Sequence, residues 1–232
     1  MHLFIDVPAA SWDEARAFWA AALGCRLSPE RGETGQFVTL LPPDGDAWVK
    51  LQRVDGAGGV HLDVDTPDRA AGLRALLGAG ASPAWRYHDV EVVRSPGGLA
   101  VCCTVGDPGR RLFRAADAVL DQIAIDVPRL WWDAESAFWQ AVTGREPVPS
   151  KRGEFVNLAG DAAGRVLLHR LDEPDGPVRA HPDLAVRDRA AETVRHRALG
   201  AEVVAVRERW TVLRAPGGQV YCLTDRDPVT GW

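Results

Sequence analysis

The chain has 232 residues and a formal net charge of -5 with no run of like charges, so it carries no electrostatic footprint for nucleic acid or an anionic membrane. No apolar run approaches the roughly 20 residues that span a bilayer, and the opening MHLFIDVPAA lacks the charged start and apolar core of a signal peptide. A small-molecule or protein partner remains, and the expected location is the cytoplasm. Four cysteines, with Cys102 and Cys103 adjacent, suit a reducing compartment better than a disulfide framework. The Arg, Ala and Gly bias suggests a GC-rich bacterial source.

In chain order, HLFIDV alternates as a strand does, and Ser11 or Asp13 can cap a following helix. That helix carries Ala15, Phe18, Trp19 and Leu23 at helical spacing and ends at Gly24. FVTLL and AWVKLQRV read as strands, and after the turn DGAGG the strand VHLDV opens a second round. That round adds a helix over DRAAGLRALLGAG and strands near SPAWRYH, VEVVR and LAVCCT.

The whole passage then recurs. His2 answers Gln122, His61 answers His181 and Pro96-Gly97-Gly98 answers Pro216-Gly217-Gly218, each at an offset of 120. Phe37 and Phe155 are 118 apart and Arg53 and Arg170 are 117 apart, so the length changes fall in loops between these anchors. The reading is a duplicated domain, 1–113 and 114–232, joined near VGDPGRRLFRAADAV. Each half is βαβββ written twice. The expected class is α+β, with each domain a curved mixed sheet, helices outside and an inner cup.

Strand parity selects residues for that cup. His2, Phe4 and Asp6 share a face, as do His61 with Asp63 and Ala100 with Cys102 and Thr104. Gln122, Ala124 and Asp126 repeat the pattern, as do His181 and Asp183. A His beside carboxylates is acid–base equipment. Asp6 and Asp126, close to helix starts, read first as anchors for a turn or helix N-terminus; for His61 and Asp63 the structural and catalytic readings stand level.

Nine Trp against six Phe and two Tyr is a high count. Trp19 and Trp139 read as core, and Trp12, Trp131 and Trp132 as rim or packing. Trp48 has the parity of Lys50 and Gln52. Trp85 and Trp210 have no counterpart in the other copy, where Ala205 and Val90 stand, so the two cups are expected to have diverged.

HLFIDVP with AFWAAALG, the QRV to HLDV connection and SPGGLAVCC, answered by QIAIDVP, AFWQAVTG, HRL, HPDL and APGGQVYCL, resemble the vicinal oxygen chelate superfamily. That superfamily contains glyoxalase I, bleomycin-resistance proteins and extradiol dioxygenases. In its metal-dependent members four positions line each cup, a His or Gln on the first strand, a Glu on the fourth, a His or Gln on the fifth and a Glu on the eighth. The matching residues are His2, Gln52, His61 and Cys102 in one copy and Gln122, His169, His181 and Cys222 in the other. Cys replaces the last Glu in both. The favoured reading is therefore metal-free, with the cysteines as small buried hydrophobes. Were a divalent metal held, His2, His61 and Cys102 would be its ligands, and zinc or another borderline ion would suit them.

The resemblance implies an enzyme of lyase, isomerase or dioxygenase type acting on a small aromatic or carbonyl-bearing metabolite. Proton transfer would fall to His61, Asp63 and His2. Asp6, Trp48, Gln52, Trp85, Cys102, Gln122, Asp126, His169, His181, Trp210 and Cys222 would contact the ligand. The alternative is a non-catalytic protein sequestering an aromatic compound, as bleomycin-resistance relatives do. A blander reading makes one copy a worn partner of the other. Whether each cup forms within one domain or from exchanged halves is open, as is the choice between a monomeric pseudo-dimer and a homodimer. GAGG and PGG read as turns, and His88, His196 and Trp232 as surface or end-of-chain features.

Overall fold

The structure is a computed structural model describing residues 1–106, 117–158 and 164–231. Trp232 and most of the expected join, residues 107–116, lie outside the described residues. Strand β1 (His2–Pro8) buries Leu3, Ile5 and Val7 completely and turns His2 and Asp6 to the other face, as its alternation requires. A 3-10 turn at Ala9–Ser11 leads into α1 (Trp12–Ala22). Neither Ser11 nor any other side chain caps this helix. Asp13 instead sits with Glu14 in its first turn, where negative charge favours the exposed N–H groups.

Strands β2 (Arg26–Leu27), β3 (Phe37–Leu41), β4 (Val49–Val54) and β5 (Gly59–Thr66) follow, then α2 (Arg69–Gly78), β6 (Ser82–Tyr87), β7 (Val90–Arg94) and β8 (Ala100–Val105). Helix α2 begins where Asp68 accepts the Ala71 amide at 3.2 Å, an ordinary N-cap. The second copy repeats the series as β9 (Ala118–Val127), α3 (Trp132–Thr143), β10 (Pro147–Pro149), β11 (Phe155–Leu158), β12 (Arg165–Arg170) and β13 (Arg179–Val186). It ends with α4 (Arg189–Ala198), β14 (Glu202–Val206), β15 (Trp210–Arg214) and β16 (Val220–Thr224). Periodicity missed β2 and β10, which at two and three residues are too short to alternate.

The strands form two eight-stranded mixed sheets, β2-β3-β4-β1-β5-β8-β7-β6 and β10-β11-β12-β9-β13-β16-β15-β14. β1 runs parallel to β4 and β5 parallel to β8, while the remaining hairpins are antiparallel. Each sheet therefore takes its strands from one copy. No helix among the described residues is long and apolar enough to cross a membrane.

Close approach of the backbone groups the chain into two compact units. Unit 1 is Met1–His2, His61–Arg110 and Ile123–Ala180; unit 2 is Leu3–Val60, Arg111–Gln122 and His181–Trp232. In unit 1, Leu62, Val101, Ile125, Phe138 and Trp139 are fully buried. Glu135, also fully buried, accepts the Gly97 amide at 2.6 Å and the Trp139 indole N–H at 2.7 Å. Burial pushes the pKa of this carboxyl up against those bonds. In unit 2, Phe18, Trp19 and Tyr221 meet at centroid distances of 5.2–5.9 Å, and Arg195 donates to the Ala21 and Ala22 carbonyls that end α1. His196 is fully buried and 2.8 Å from the Tyr221 hydroxyl. It is a core residue, which corrects its reading as surface: a polar side chain on α4 is accommodated inside because both ring nitrogens find partners.

Candidate functional site

In unit 1 the parallel β5–β8 register sets Asp63 opposite Cys102 and Asp65 opposite Thr104. Alternation sends Leu62, Val101 and Cys103 into the core, leaving His61, Asp63, Asp65, Cys102 and Thr104 on the other face in two rows. The first row brings ligand atoms of His61, Asp63 and Cys102 within 4.8 Å of one another, with His61 Nε2 3.9 Å from Asp63 Oδ1. The second row is a tighter pair. His2 Nδ1 lies 3.1 Å from Asp65 Oδ1, which also accepts the Thr104 hydroxyl at 3.2 Å, and the Met1 nitrogen is 2.6 Å from Asp65 Oδ2. The Asp65 side chain is only 1% exposed, so these donors offset the cost of burying its charge.

Asp65 was not among the expected site residues, although the parity that selected His61 and Asp63 continues to it. His2 was expected beside His61 and Cys102. The structure gives it Asp65 as partner, while Asp63 joins His61 and Cys102.

Unit 2 carries the first row again. Asp183 stands opposite Cys222, and ligand atoms of His181, Asp183 and Cys222 lie within 4.8 Å of one another. His181 Nδ1 is 2.9 Å from Asp183 Oδ1, and Gln122 donates to Asp183 Oδ2 at 2.6 Å. The second row is missing from this copy, because Gln122 and Ala185 occupy the places of His2 and Asp65.

The fourth-strand positions diverge as well. In unit 1, His169 Nδ1 is 2.8 Å from Asp126 Oδ1, and its ring stacks on Phe155 at 4.5 Å. Asp126 thus engages a histidine. The corresponding Asp6 and Gln52 are register partners on β1 and β4 of unit 2, and the Asp6 carbonyl accepts Gln219 Nε2 at 2.7 Å.

Trp48 is buried and borders a cavity of unit 2 with Leu23, Cys25, Leu120 and Leu184. Trp85 is 50% exposed on β6 beneath the Arg94 guanidinium, and Trp210 opens β15 opposite Thr224. Trp12 and Trp132 are packing residues, each under an arginine, Arg53 at 5.8 Å and Arg170 at 5.6 Å.

Burial pushes the pKa of Cys25 up to about 11 and raises that of Cys103, so neither is a reactive thiol. Cys102 and Cys222 each lie beside a histidine and an aspartate. The four-position tetrad of the resemblance is not complete here, since both eighth-strand glutamates are cysteines. Each trio instead offers one imidazole, one carboxylate and one thiol. It is not the two-histidine, one-carboxylate set of ferrous oxygenases, and its donors suit a borderline ion such as zinc.

A family profile described as Glyoxalase-like domain matches the chain twice, at residues 2–104 and 122–224. No curated protein matches the chain significantly. Among solved structures, 2,2',3-trihydroxybiphenyl 1,2-dioxygenase from Sphingomonas wittichii is 15% identical with a TM-score of 0.60, over 100% of this chain and 91% of that one. Homoprotocatechuate 2,3-dioxygenase from Arthrobacter globiformis is 13% identical with a TM-score of 0.62, over 99% of this chain and 80% of that one. A xylose isomerase-like TIM barrel/4-hydroxyphenylpyruvate dioxygenase fusion protein is 10% identical with a TM-score of 0.60, and although 97% of this chain aligns, it spans only 48% of the fusion. At such identities the likeness is one of fold. Matched twice over most of its length, on a fold shared with extradiol dioxygenases, the chain belongs to the glyoxalase-like domain family and is built from two tandem copies of that domain.

Proposed function

We propose that the protein is an enzyme of lyase or isomerase type that moves a proton on a small carbonyl-bearing or aromatic metabolite, held in the cup of the first domain. The observation that carries this reading is the pair of rows on β5 and β8, with His2–Asp65 directly beside His61, Asp63 and Cys102. Asp65 holds Nδ1 of His2, which fixes the ring and assigns proton transfer to Nε2. The oxygen end of the substrate lies toward His61, Asp63 and Cys102. A divalent ion bound by His61, Asp63 and Cys102 would supply Lewis-acid polarisation of a carbonyl.

The second domain has no counterpart of the His2–Asp65 pair, and neither Gln122 nor Ala185 can carry a proton, which favours the first domain as the one that turns over substrate. The four cysteines are thiols rather than disulfides, which supports a cytoplasmic setting.

The test is a screen of small carbonyl and aromatic metabolites with product analysis by mass spectrometry. His2→Ala and Asp65→Asn should each lower kcat by about 100- to 10,000-fold, the range of a lost general base, and His61→Ala should abolish turnover. Undiminished turnover in His2→Ala and His61→Ala would overturn the assignment. Saturable Trp quenching with the ligand recovered unchanged would instead identify a sequestering protein.

A further inference from the structure

We infer that each domain binds one zinc-type divalent cation through a His–Asp–Cys trio, His61, Asp63 and Cys102 in the first and His181, Asp183 and Cys222 in the second. This is a different donor set from the carboxylate-rich tetrad implied by the family. It rests on the two trios as the polar centres of the domains, and does not depend on which reaction follows.

Four observations carry it. First, the trio occurs twice, with all three ligand atoms within 4.8 Å in each copy, while His2 and Gln122 at the first-strand position differ. Chemistry has been retained at three positions while a neighbour has changed. Second, the register puts each Asp directly opposite its Cys on a parallel neighbour, Asp63 with Cys102 and Asp183 with Cys222. The backbone therefore presets the oxygen and sulfur donors, and each His comes from the same strand two residues before its Asp. Zinc bonds of about 2.0–2.3 Å place neighbouring donors roughly 3.5 Å apart. A trio within 4.8 Å lies close to that spacing.

Third, the carboxylates are buried. Asp183 is 4% and Asp63 is 5% exposed, and each lies against a thiol and an imidazole. A cation among these groups offsets the cost of withdrawing a carboxylate from water and converts the thiol to the thiolate that binds. Fourth, Gln122 donates to Asp183 Oδ2, which leaves Oδ1 on the side of His181. An outer amide holding a ligand carboxylate in one orientation is how metal sites are tuned.

Binding involves no redox step. The ion takes a lone pair from the imidazole nitrogen, one from the carboxylate and one from sulfur, and the thiol proton is released to solvent.

The test is titration of the intact, metal-stripped chain with Co(II) as the spectroscopic stand-in for zinc, reading the thiolate-to-cobalt charge-transfer band in the near ultraviolet. The native band should saturate at two equivalents per chain, one for each trio. Cys102→Ser and Cys222→Ser should each remove roughly half of it, and the double variant all of it, since serine keeps the volume but supplies no soft donor. Cys25→Ser should leave the band whole. Gln122→Ala should weaken the second site by about 10- to 100-fold while keeping its band at saturation.

Absence of the band in the native chain, or its survival in the double variant, would overturn the inference. Zinc protection of two thiols against a thiol reagent, lost in the same double variant, is the second readout. A chain that turns over substrate through His2 but shows no band would overturn the metal sites and leave the proposed function standing. A full band with undiminished turnover in His2→Ala would do the reverse.

Discussion

His196 lies fully buried against Phe18 and Tyr221, and burial together with the neighbouring Arg195 charge lowers its pKa to about 4. Above about pH 6.5 the ring is neutral in both folded and unfolded chains. Between about 6.5 and 4 the unfolded chain takes up a proton that the folded chain refuses, so stability falls with pH across that window. The displacement of the pKa corresponds to about 3 kcal/mol lost by pH 4. Denaturation in urea at pH 7 and pH 4.5 should show this dependence in the native chain and a flatter one in His196→Asn. Equal slopes would remove His196 as the cause.

At the same scale, His61, Asp63 and Cys102 were readable because a period of two assigns faces without knowledge of neighbours. The partnership of His2 with Asp65 was not. It depends on reach between side chains of different strands, and the primary sequence carries no distance across strands.

At the scale of elements, the Pro96-Gly97-Gly98 turn is held by Glu135 on α3 and by the Val178 amide, which donates to the Gly97 carbonyl at 3.0 Å. A Cβ at Gly97 would overlap Val178 Cγ2 and stand 3.0 Å from Trp131 Cγ. Gly97→Ala should therefore cost about 1–3 kcal/mol by overpacking, read as a lower urea midpoint with unchanged slope. A midpoint within error of native would show that β13 and the start of α3 give way freely.

The helices and most strands were legible from periodicity and turn residues. The exceptions have physical causes. β2 and β10 are too short to alternate, and β10 contains two prolines. The start of α1 follows a 3-10 turn, so the residue that looked like its cap makes no capping bond. Asp68 and Asp188, by contrast, do cap α2 and α4, accepting amides at 3.2 and 3.0 Å.

For the whole molecule, each sheet belongs to one sequence copy, but each packed unit draws its interior from both. Residues 61–106 of the first copy pack with the described residues of 123–180 in the second, and 3–60 pack with 181–231. A fragment of residues 1–113 therefore lacks the partner of each of its halves. It should fail to unfold cooperatively as a monomer, or recover cooperativity only as a dimer in which a second copy supplies the missing halves. Sedimentation with thermal unfolding checks this, and a cooperatively folded monomer would count against it.

By itself the sequence determined the duplication, the family and the faces on which His61, Asp63, Cys102 and their counterparts stand, because these follow from repetition and from local periods of two and 3.6 residues. Only the tertiary structure decided that Asp63 completes the trio, that Asp65 takes His2, that His169 belongs with Asp126, and that halves of different copies pack together. Those outcomes depend on strand register and on complementary side-chain volumes between segments far apart in the chain, neither of which is encoded in a local pattern.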